Sequence, residues 1–403
     1  MTPPNTPGAR GSVIFMATVA QPHLSVMRFG HILPLVTHLR VLVPPPAEVD
    51  NRRSLKEGAV LRIPPVAMRP RLGICGAGDL LRELSTRVVG QAQALTQIVP
   101  YVQMHQAELS PDGRPAGVFL LLGPTGTGKT RTVEALADAL HGSEKHMLKV
   151  DCGEFQMEHE VAKLIGAPPG YLGHRETPPM LTQQKLTSVT TESSDLSLVL
   201  FDEIEKAAPS MTRLLMGVLD KAALRLGDNN TVNFERSLIF LTSNLGAREM
   251  RDRLLPGFGF EAITGGSSGA TLAKLHHIGM GAVRRKFSPE FVTRIDTVIT
   301  YQPLEAEALA EIVDLQIAAL ELHIENRLGE RAFELEVTTV ARQYLLEKGT
   351  SSEYGARELK RTILRDLTQP LAAMVANGEV PAESIVRVDH VGAGAALAFT
   401  VRD

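Results

Sequence analysis

The sequence predicts an α/β fold with a parallel sheet, followed by a smaller α+β domain. From Arg87 onward, short apolar segments of strand length alternate with helical segments, a pattern typical of a parallel sheet covered by helices on both faces. A glycine-rich loop joins the first of these strands to a helix. From about Tyr301 the chain becomes mostly helical and closes with strand-like segments. These three observations divide the chain into residues 1–84, 85–300 and 301–403.

Residues 1–84 differ from the rest in composition. Eleven of the 25 prolines fall within the first 70 residues, beside β-rich runs such as SVIFMATVA and HLRVLVPPP. Proline removes a backbone donor and breaks helices, so this region is not mainly helical. We expect a loose tail at 1–11, a small β-rich appendage at 12–68, and a linker with a lead-in helix at 69–84.

Residues 85–300 supply the predicted parallel sheet. Its strands are GVFLLLG, HMLKVDC, SLVLFDE and SLIFLTSN, with helices such as TRTVEALADALHG and MTRLLMGVLDKA between them. In residues 301–403, the segment LEAEALAEIVDLQIAALELHIENRLG has apolar residues at helical spacing. FELEV, SIVRVDHV and ALAFTVRD follow as strand candidates, which gives the smaller α+β domain.

Composition excludes several classes of protein. The chain has 403 residues and 44% hydrophobic content, enough for two or three domains. No apolar run approaches the roughly 18 residues that span a bilayer, and the start, ARGSVIFMATVAQ, only superficially resembles a signal peptide. Cys75 and Cys152 stand far apart and predict reduced thiols rather than a disulfide or metal site. A net charge of −3 gives no global field for nucleic acid. We therefore expect a cytoplasmic protein without membrane partners.

The loop GPTGTGKT after the first strand fits the phosphate-binding pattern GxxxxGK[ST] in its strand–loop–helix context. Backbone N–H groups of such a loop surround phosphates at the positive end of the helix. The lysine adds a charge at the terminal phosphates, and the final hydroxyl ligates Mg²⁺. The loop therefore predicts ATP and Mg²⁺ as ligands. Its residues are Gly123, Pro124, Thr125, Gly126, Thr127, Gly128, Lys129 and Thr130.

Carboxylates and an amide follow two later strands. Asp202 and Glu203 end SLVLFDE, at the edge of the sheet where ligands of such folds bind. We expect Asp202 to hold the magnesium shell and Glu203 to polarise the attacking water, with capping of the next helix as the alternative for Glu203. Asn244 ends SLIFLTSN and is suited to hold a water against a phosphate.

The chain resembles Clp-type AAA+ protein unfoldases over Arg87 to about Asp403, roughly four fifths of its length. The similarity is to the second-ring ATPase module of ClpB, ClpA and ClpC with its small C-terminal domain. It lies in RVVGQ, GPTGTGKT, KLIGAPPGYLG, VLFDEIEKA, LTSNLG, FSPEFVTRID and YGARELKR, all in the family's order. The resemblance implies a five-stranded parallel sheet, a C-terminal lid domain and ATP hydrolysis by a homo-hexamer. One module is present, which implies a single ring.

The resemblance also assigns roles to residues outside the phosphate loop. The backbone of Val88 and Val89 is expected to face adenine, and Asn244 to be the sensor asparagine. Arg294 is expected to be the arginine finger, which acts on a neighbour's nucleotide, and Arg357 the second sensor. For both arginines, a surface salt bridge is the alternative. An arginine finger stabilises transition-state charge and is effective only in a ring.

The segment APPGYLGH places Tyr171 between glycines on a loop. By resemblance, Gly170, Tyr171, Leu172 and Gly173 form the pore loop, whose aromatic ring grips unfolded protein substrates without reading their sequence. The continuation HRETPP departs from the family's acidic, glycine-rich pattern, and Tyr171 packed on its own loop is the alternative. LGDNNTVNF at 226–234 predicts a hairpin and is a candidate second pore loop.

A further loop, LLPGFGFEAITGGSSG, offers a short match to the tripeptide with which relatives dock a peptidase. Gly257, Phe258, Gly259 and Phe260 are the candidate contacts for a ClpP-like peptidase, with local packing of the phenylalanines as the alternative. The predicted function is therefore an ATP-driven protein unfoldase, with a nucleic-acid translocase or loader as the alternative. A nucleic-acid translocase needs basic residues at the pore to contact phosphates. The candidate pore loop carries Tyr171 and Leu172 instead, although Arg175 lies close by in the sequence.

Overall fold

A computed structural model gives the architecture, and it describes residues 77–166, 178–254, 268–350, 355–392 and 396–402. The predicted appendage at 12–68 lies outside these residues. So do the candidate pore loop at 170–173 and the candidate peptidase contacts at 257–260.

The described secondary structure alternates strands and helices through the central segment and is mostly helical after it. The strands are β1 (Gly117–Leu122), β2 (Leu148–Asp151), β3 (Ser197–Asp202), β4 (Ala223–Arg225), β5 (Thr231–Asn233), β6 (Ser237–Ser243), β7 (Thr297–Thr300), β8 (Glu334–Val337), β9 (Ile385–His390) and β10 (Leu397–Arg402). The helices are α1 (Ala77–Ser85), α2 (Ala92–Gln106), α3 (Lys129–His141), α4 (Val161–Ile165), α5 (Gln183–Ser188), α6 (Pro209–Lys221), α7 (Ala247–Leu254), α8 (Ser268–Lys286), α9 (Pro289–Val292), α10 (Ala306–Leu328), α11 (Thr339–Gly349), α12 (Ala356–Ile363) and α13 (Gln369–Ala376).

Within the described residues, five strands form one parallel sheet in the order β2-β3-β6-β1-β7. The four strands predicted from apolar segments are confirmed. The fifth, β7, was implied only by family resemblance, because its four residues carry no distinctive pattern. It pairs with β1 from Phe119 opposite Thr297 to Leu122 opposite Thr300, so it closes the sheet beside the glycine-rich loop.

Two apolar layers enclose the sheet, as expected for strands buried on both faces. Side chains alternate along β1, so Val118, Leu120 and Leu122 join one layer while Phe119 and Leu121 join the other. Helix α6 packs in the first layer, and α1, α2 and α3 pack in the second. The sheet is therefore a rigid support whose loops project from its edges.

The smaller α+β domain contains the helix and the strands that the sequence predicts. Strand β9 lies between β10 and β8, antiparallel to β10 and parallel to β8. Helices α10, α11, α12 and α13 share a core with this sheet, and a π-helical stretch, Leu364–Thr368, joins α12 to α13. The predicted helix and all three predicted strands are confirmed.

A β-hairpin projects between α6 and β6. Strand β4 pairs antiparallel with β5, from Ala223 opposite Asn233 to Arg225 opposite Thr231. Asn229 in the connecting turn has φ +70°, a left-handed conformation that asparagine tolerates. The predicted hairpin at 226–234 is confirmed.

In the described part of the chain, no helix has the length and hydrophobicity needed to cross a lipid bilayer.

Candidate active site

The glycine-rich loop follows β1 and ends on the first turn of α3. Gly126 and Gly128 have φ of +79° and +99°, so both require the freedom of glycine. At Gly123, an added Cβ would lie 2.8 Å from the Tyr301 carbonyl oxygen. The loop therefore follows a path that only glycine permits at these positions, as the sequence motif predicts.

Lys129 turns back over this loop from the start of α3. Its Nζ donates hydrogen bonds to the carbonyls of Gly123 (2.7 Å) and Pro124 (2.8 Å) and to Oδ1 of Asn244 (2.9 Å). Burial lowers the pKa of Lys129 to about 8, with the charge of Arg357 adding to the effect and that of Glu205 opposing it. The ammonium thus stands where burial disfavours its charge, so an anion beside it would be strongly stabilised.

Asp202 ends β3 with both carboxylate oxygens engaged. Its Oδ1 accepts a hydrogen bond from the hydroxyl of Thr242, and its Oδ2 lies 2.9 Å from Nζ of Lys149. Burial works to raise the pKa of Asp202, but the Thr242 bond and the Lys149 ammonium outweigh it and lower the pKa. The group is therefore an anion that already binds a cationic partner.

Glu203 follows in a left-handed backbone conformation, φ +56° and ψ +50°. Its N–H donates to the Thr242 hydroxyl at 2.9 Å, which holds this uncommon conformation in place. Its side chain makes no capping bond to the following turn. Instead, Oε2 lies 2.5 Å from Nζ of Lys206, and Oε1 accepts from Nδ2 of Asn244 at 3.3 Å. The capping alternative is wrong for this side chain.

Asn244, directly after β6, links the two functional groups. Its Oδ1 accepts from Lys129 and its Nδ2 donates to Glu203, while its N–H donates to Oε1 of Glu205 at 3.0 Å. The other oxygen of Glu205 is buried and has no hydrogen-bond partner in the described part of the chain. The structure therefore brings Lys129, Glu203 and Asn244 together at one edge of the sheet.

The two predicted arginines lie in different domains. Arg294 is half-buried beside α6: its guanidinium donates to the Glu290 carbonyl, contacts Sδ of Met216 at 3.8 Å and lies 3.8 Å from Asp220. Arg357 is exposed on α12, and its charge reaches Lys129, whose pKa it lowers. The ion pair of Arg294 with Asp220 is therefore long, at 3.8 Å. The positive charge of Arg357, in the small domain, acts on Lys129 of the phosphate loop.

The segment predicted to face adenine lies between α1 and α2. Val88 is buried in the apolar layer, and its N–H donates to the carbonyl of Leu84 at 2.9 Å. A backbone contact from Val88 to adenine would therefore use its carbonyl.

Thr130 stands beside Lys129 on α3 and is half-buried, so its hydroxyl remains a candidate ligand for magnesium.

Sequence reasoning missed several polar residues that support the site. Thr242, Lys149, Lys206, Glu205 and Gln91 each bond to a predicted residue or its loop. Four of them lie inside the motifs given above: Gln91 in RVVGQ, Glu205 and Lys206 in VLFDEIEKA, and Thr242 in LTSNLG. Their motif positions were the available signal, but their roles depend on tertiary contacts.

Comparison with known proteins decides the family. Residues 114–298 match the model of an AAA domain (Cdc48 subfamily), and residues 304–388 match that of the C-terminal, D2-small domain of ClpB protein. The chain belongs to the Clp-type AAA+ family. The two matches follow the order of the two domains in the structure, and they confirm the resemblance carried by the sequence motifs.

Curated relatives agree with the family models. The chaperone protein ClpB of Meiothermus ruber is 39% identical over 298 residues, 74% of this chain and 32% of the relative. The ATP-dependent Clp protease ATP-binding subunit ClpC of Staphylococcus saprophyticus is 36% identical over 309 residues, 77% of this chain and 36% of the relative. The chain therefore spans about a third of the length of these relatives.

Solved structures of Hsp104 have the same fold. A closed-state cryo-EM reconstruction of Hsp104 with ATPγS and FITC-casein superposes with a TM-score of 0.66 at 27% identity, covering 81% of this chain and 51% of that one. The extended conformation of the Saccharomyces cerevisiae Hsp104–casein complex gives 0.64 at 29%, covering 77% and 49%. The predicted fold class, an AAA+ domain with a small C-terminal domain, is confirmed.

Proposed function

We propose that this Clp-type AAA+ chain is an ATP-dependent protein unfoldase that works as a homo-hexamer in the cytoplasm. The observation that carries the proposal is the continuous contact from Lys129 through Asn244 to Glu203. Hydrogen bonds join the candidate phosphate-binding cation, Lys129, to the sensor asparagine, Asn244, and Asn244 to the candidate base, Glu203. Such an arrangement suits hydrolysis of a terminal phosphate.

The site also suits Mg²⁺. The ion prefers oxygen ligands, and the Thr130 hydroxyl and the Asp202 carboxylate supply them. Against the effect of burial, the Thr242 hydrogen bond and the Lys149 ammonium lower the pKa of Asp202, so its carboxylate is available to a cation in the charged form. When bound, magnesium would neutralise developing negative charge on the phosphates of ATP.

The remaining residues divide the work of hydrolysis. The loop N–H groups from Thr125 to Thr130 and the Lys129 ammonium bind the phosphates, and the Val88–Val89 backbone faces adenine. Glu203 accepts a proton from the attacking water, which Asn244 orients. Arg294 stabilises transition-state charge at the neighbouring protomer, and Arg357 contacts the nucleotide from the small domain, so that hydrolysis changes the angle between the domains.

The names of the relatives support the protein-directed part of the proposal. They include a chaperone and the ATP-binding subunit of a Clp protease, and the two Hsp104 structures described above contain casein. We therefore propose unfolded protein as the substrate, gripped by Tyr171 between Gly170, Leu172 and Gly173. Docking of a ClpP-like peptidase through Gly257, Phe258, Gly259 and Phe260 is the finer part of the same proposal.

The test measures ATP turnover and unfolding of a green fluorescent reporter carrying an unstructured tail. We expect the wild-type chain to do both, Lys129→Gln to do neither, and Tyr171→Ala to hydrolyse ATP without unfolding the reporter. Equal unfolding by the Tyr171→Ala variant would contradict the pore-loop assignment. Turnover stimulated by single-stranded DNA but not by casein would favour the nucleic-acid alternative.

A further inference from the structure

Gln91 occupies the junction of three segments that are distant in the sequence. It is buried, with 5% of its surface exposed, and precedes α2. Its Nε2 donates to the carbonyl of Thr127 at 3.1 Å and to that of Gln302 at 2.9 Å, and its Oε1 accepts from the N–H of Gln302 at 3.4 Å. Both amide hydrogens and the carbonyl oxygen are therefore used.

The bond to Thr127 acts on the phosphate-binding loop. A trans peptide is planar, so the carbonyl of Thr127 and the N–H of Gly128 point in opposite directions. Holding that carbonyl outward therefore directs the Gly128 N–H to the inner side of the loop, where phosphates are bound. The preceding carbonyl, Gly126, is held in the same way by the N–H of Ala356 at 3.2 Å.

The bonds to Gln302 act on the connection between the domains. Gln302 lies between β7 and α10, where the chain leaves the large sheet and enters the small domain. Two neighbours reinforce this contact. Tyr301 donates its hydroxyl to Thr132 on α3 at 2.8 Å, and a Cβ on Gly90 would lie 3.1 Å from both Leu304 and Ala308.

We propose that Gln91 is a positioning residue that couples the phosphate-binding loop to the interdomain connection. Because one buried amide holds both, a shift of the Thr127 carbonyl on nucleotide binding must be transmitted to Gln302 or must break a buried hydrogen bond. The inference rests on the proposed ATPase function. It adds a residue that touches neither the phosphates nor the reacting water but fixes the loop that binds them.

The test replaces the amide with an apolar side chain of similar length, Gln91→Met. We expect the Kd for a fluorescent ADP analogue to rise about tenfold, because the buried Thr127 carbonyl and the half-buried Gln302 carbonyl lose their donor, with kcat at saturating ATP within about twofold of wild type. The matched control is Gln93→Met, an exposed glutamine two residues away, which should change neither quantity.

Hydrogen exchange of the full chain separates coupling from a merely structural role. In the wild type, nucleotide should increase protection of the peptide that contains Gln302; in Gln91→Met that response should disappear, while the peptide containing Asn244 still responds. An unchanged Kd and an intact Gln302 response would overturn the inference. If Gln91→Met does not fold, Gln91→Asn, which shortens the reach by one methylene, is measured in its place. A wild-type chain that binds no nucleotide would contradict the proposed function itself, which is a different outcome.

Discussion

Asn244 contacts Lys129 and Glu203 with opposite ends of one amide. Its Oδ1 accepts from the lysine at 2.9 Å, and its Nδ2 donates to the glutamate at 3.3 Å. Its backbone is fixed as well, because its N–H donates to Glu205 at 3.0 Å. A change in the position of the Lys129 ammonium is therefore transmitted to the glutamate through a single rigid group.

Two substitutions distinguish the two side-chain hydrogen bonds of Asn244, to Lys129 and to Glu203. Asn244→Asp keeps the acceptor for Lys129 and removes the donor to Glu203, whereas Asn244→Ala removes both. We expect kcat for ATP to fall about 10- to 100-fold in both variants, because Asn244 no longer orients the attacking water. This is part of the roughly 10²- to 10⁴-fold rate that general acid–base catalysis contributes. Nucleotide Kd should rise more in Asn244→Asp, because its carboxylate pairs with the Lys129 ammonium and repels the phosphates. Steady-state kinetics and equilibrium titration measure the two quantities, and kcat near wild type in both variants would contradict the role.

Glu203→Gln tests the proposed base. A glutamine can still accept from Asn244, but it cannot take a proton from water and it loses the ion pair with Lys206. We expect turnover to fall at least about 100-fold while nucleotide Kd stays within about threefold of wild type. Lys206→Ala is the control: it removes the ion pair alone, and the lysine side chain is 48% exposed. Hydrolysis by Glu203→Gln at the wild-type rate would show that another group activates the water.

The sequence alone predicts the elements that carry this site and the side chains that end them. A glycine-rich loop after an apolar strand can be interpreted locally, and so can DE or N at the end of a buried strand, because the carboxyl ends of parallel strands share an edge. The fixed order of these motifs then predicts that Lys129, Glu203 and Asn244 meet. The structure confirms that contact.

What the sequence does not reveal depends on long-range pairing. Gln91 bonds to residues 36 and 211 positions away, and Thr242 acts on Asp202 and Glu203 across two strands. Both residues lie in motifs, Gln91 in RVVGQ and Thr242 in LTSNLG, but polar residues of these types occur throughout the chain, and no local pattern identifies their bonding partners. Strand β7 was implied by the family resemblance but not by its own residues, for a related reason: it is four residues long, only Ile299 in it is fully buried, and its pairing with β1 defines it.

The lowered pKa of Lys129, about 8, predicts that nucleotide affinity depends on pH. Below that pH the ammonium is charged and attracts phosphate; above it, binding must first take up a proton, because an adjacent phosphate favours the charged form. Affinity should therefore fall as pH rises from 8 to 10, by up to about tenfold per pH unit. The measurement is a titration with ADP in metal-free buffer. Lys129→Arg, which stays charged throughout this range, should bind with little pH dependence, and a flat wild-type profile would contradict the assignment.

Arg294 provides the sharpest test of the ring. Its guanidinium donates to the Glu290 carbonyl, contacts Sδ of Met216 at 3.8 Å and lies 3.8 Å from Asp220, and its side chain is 27% exposed. If it acts on the next protomer, Arg294→Ala should bind ATP normally and lose about 10³-fold in turnover. Arg285→Ala, which removes an exposed arginine paired with Glu249, is the matched control and should keep full activity.

Mixing variants distinguishes action on a neighbour from action within one chain. Arg294→Ala retains Glu203, and Glu203→Gln retains Arg294, so a Glu203→Gln subunit can supply the missing arginine to an adjacent Arg294→Ala subunit. With random assembly, about a quarter of the interfaces in an equimolar mixture are complete, so the mixture should regain turnover that neither variant has alone. Activity that does not recover, in mixtures shown by mass photometry to contain both variants in one hexamer, would mean that Arg294 acts within its own chain or not at all.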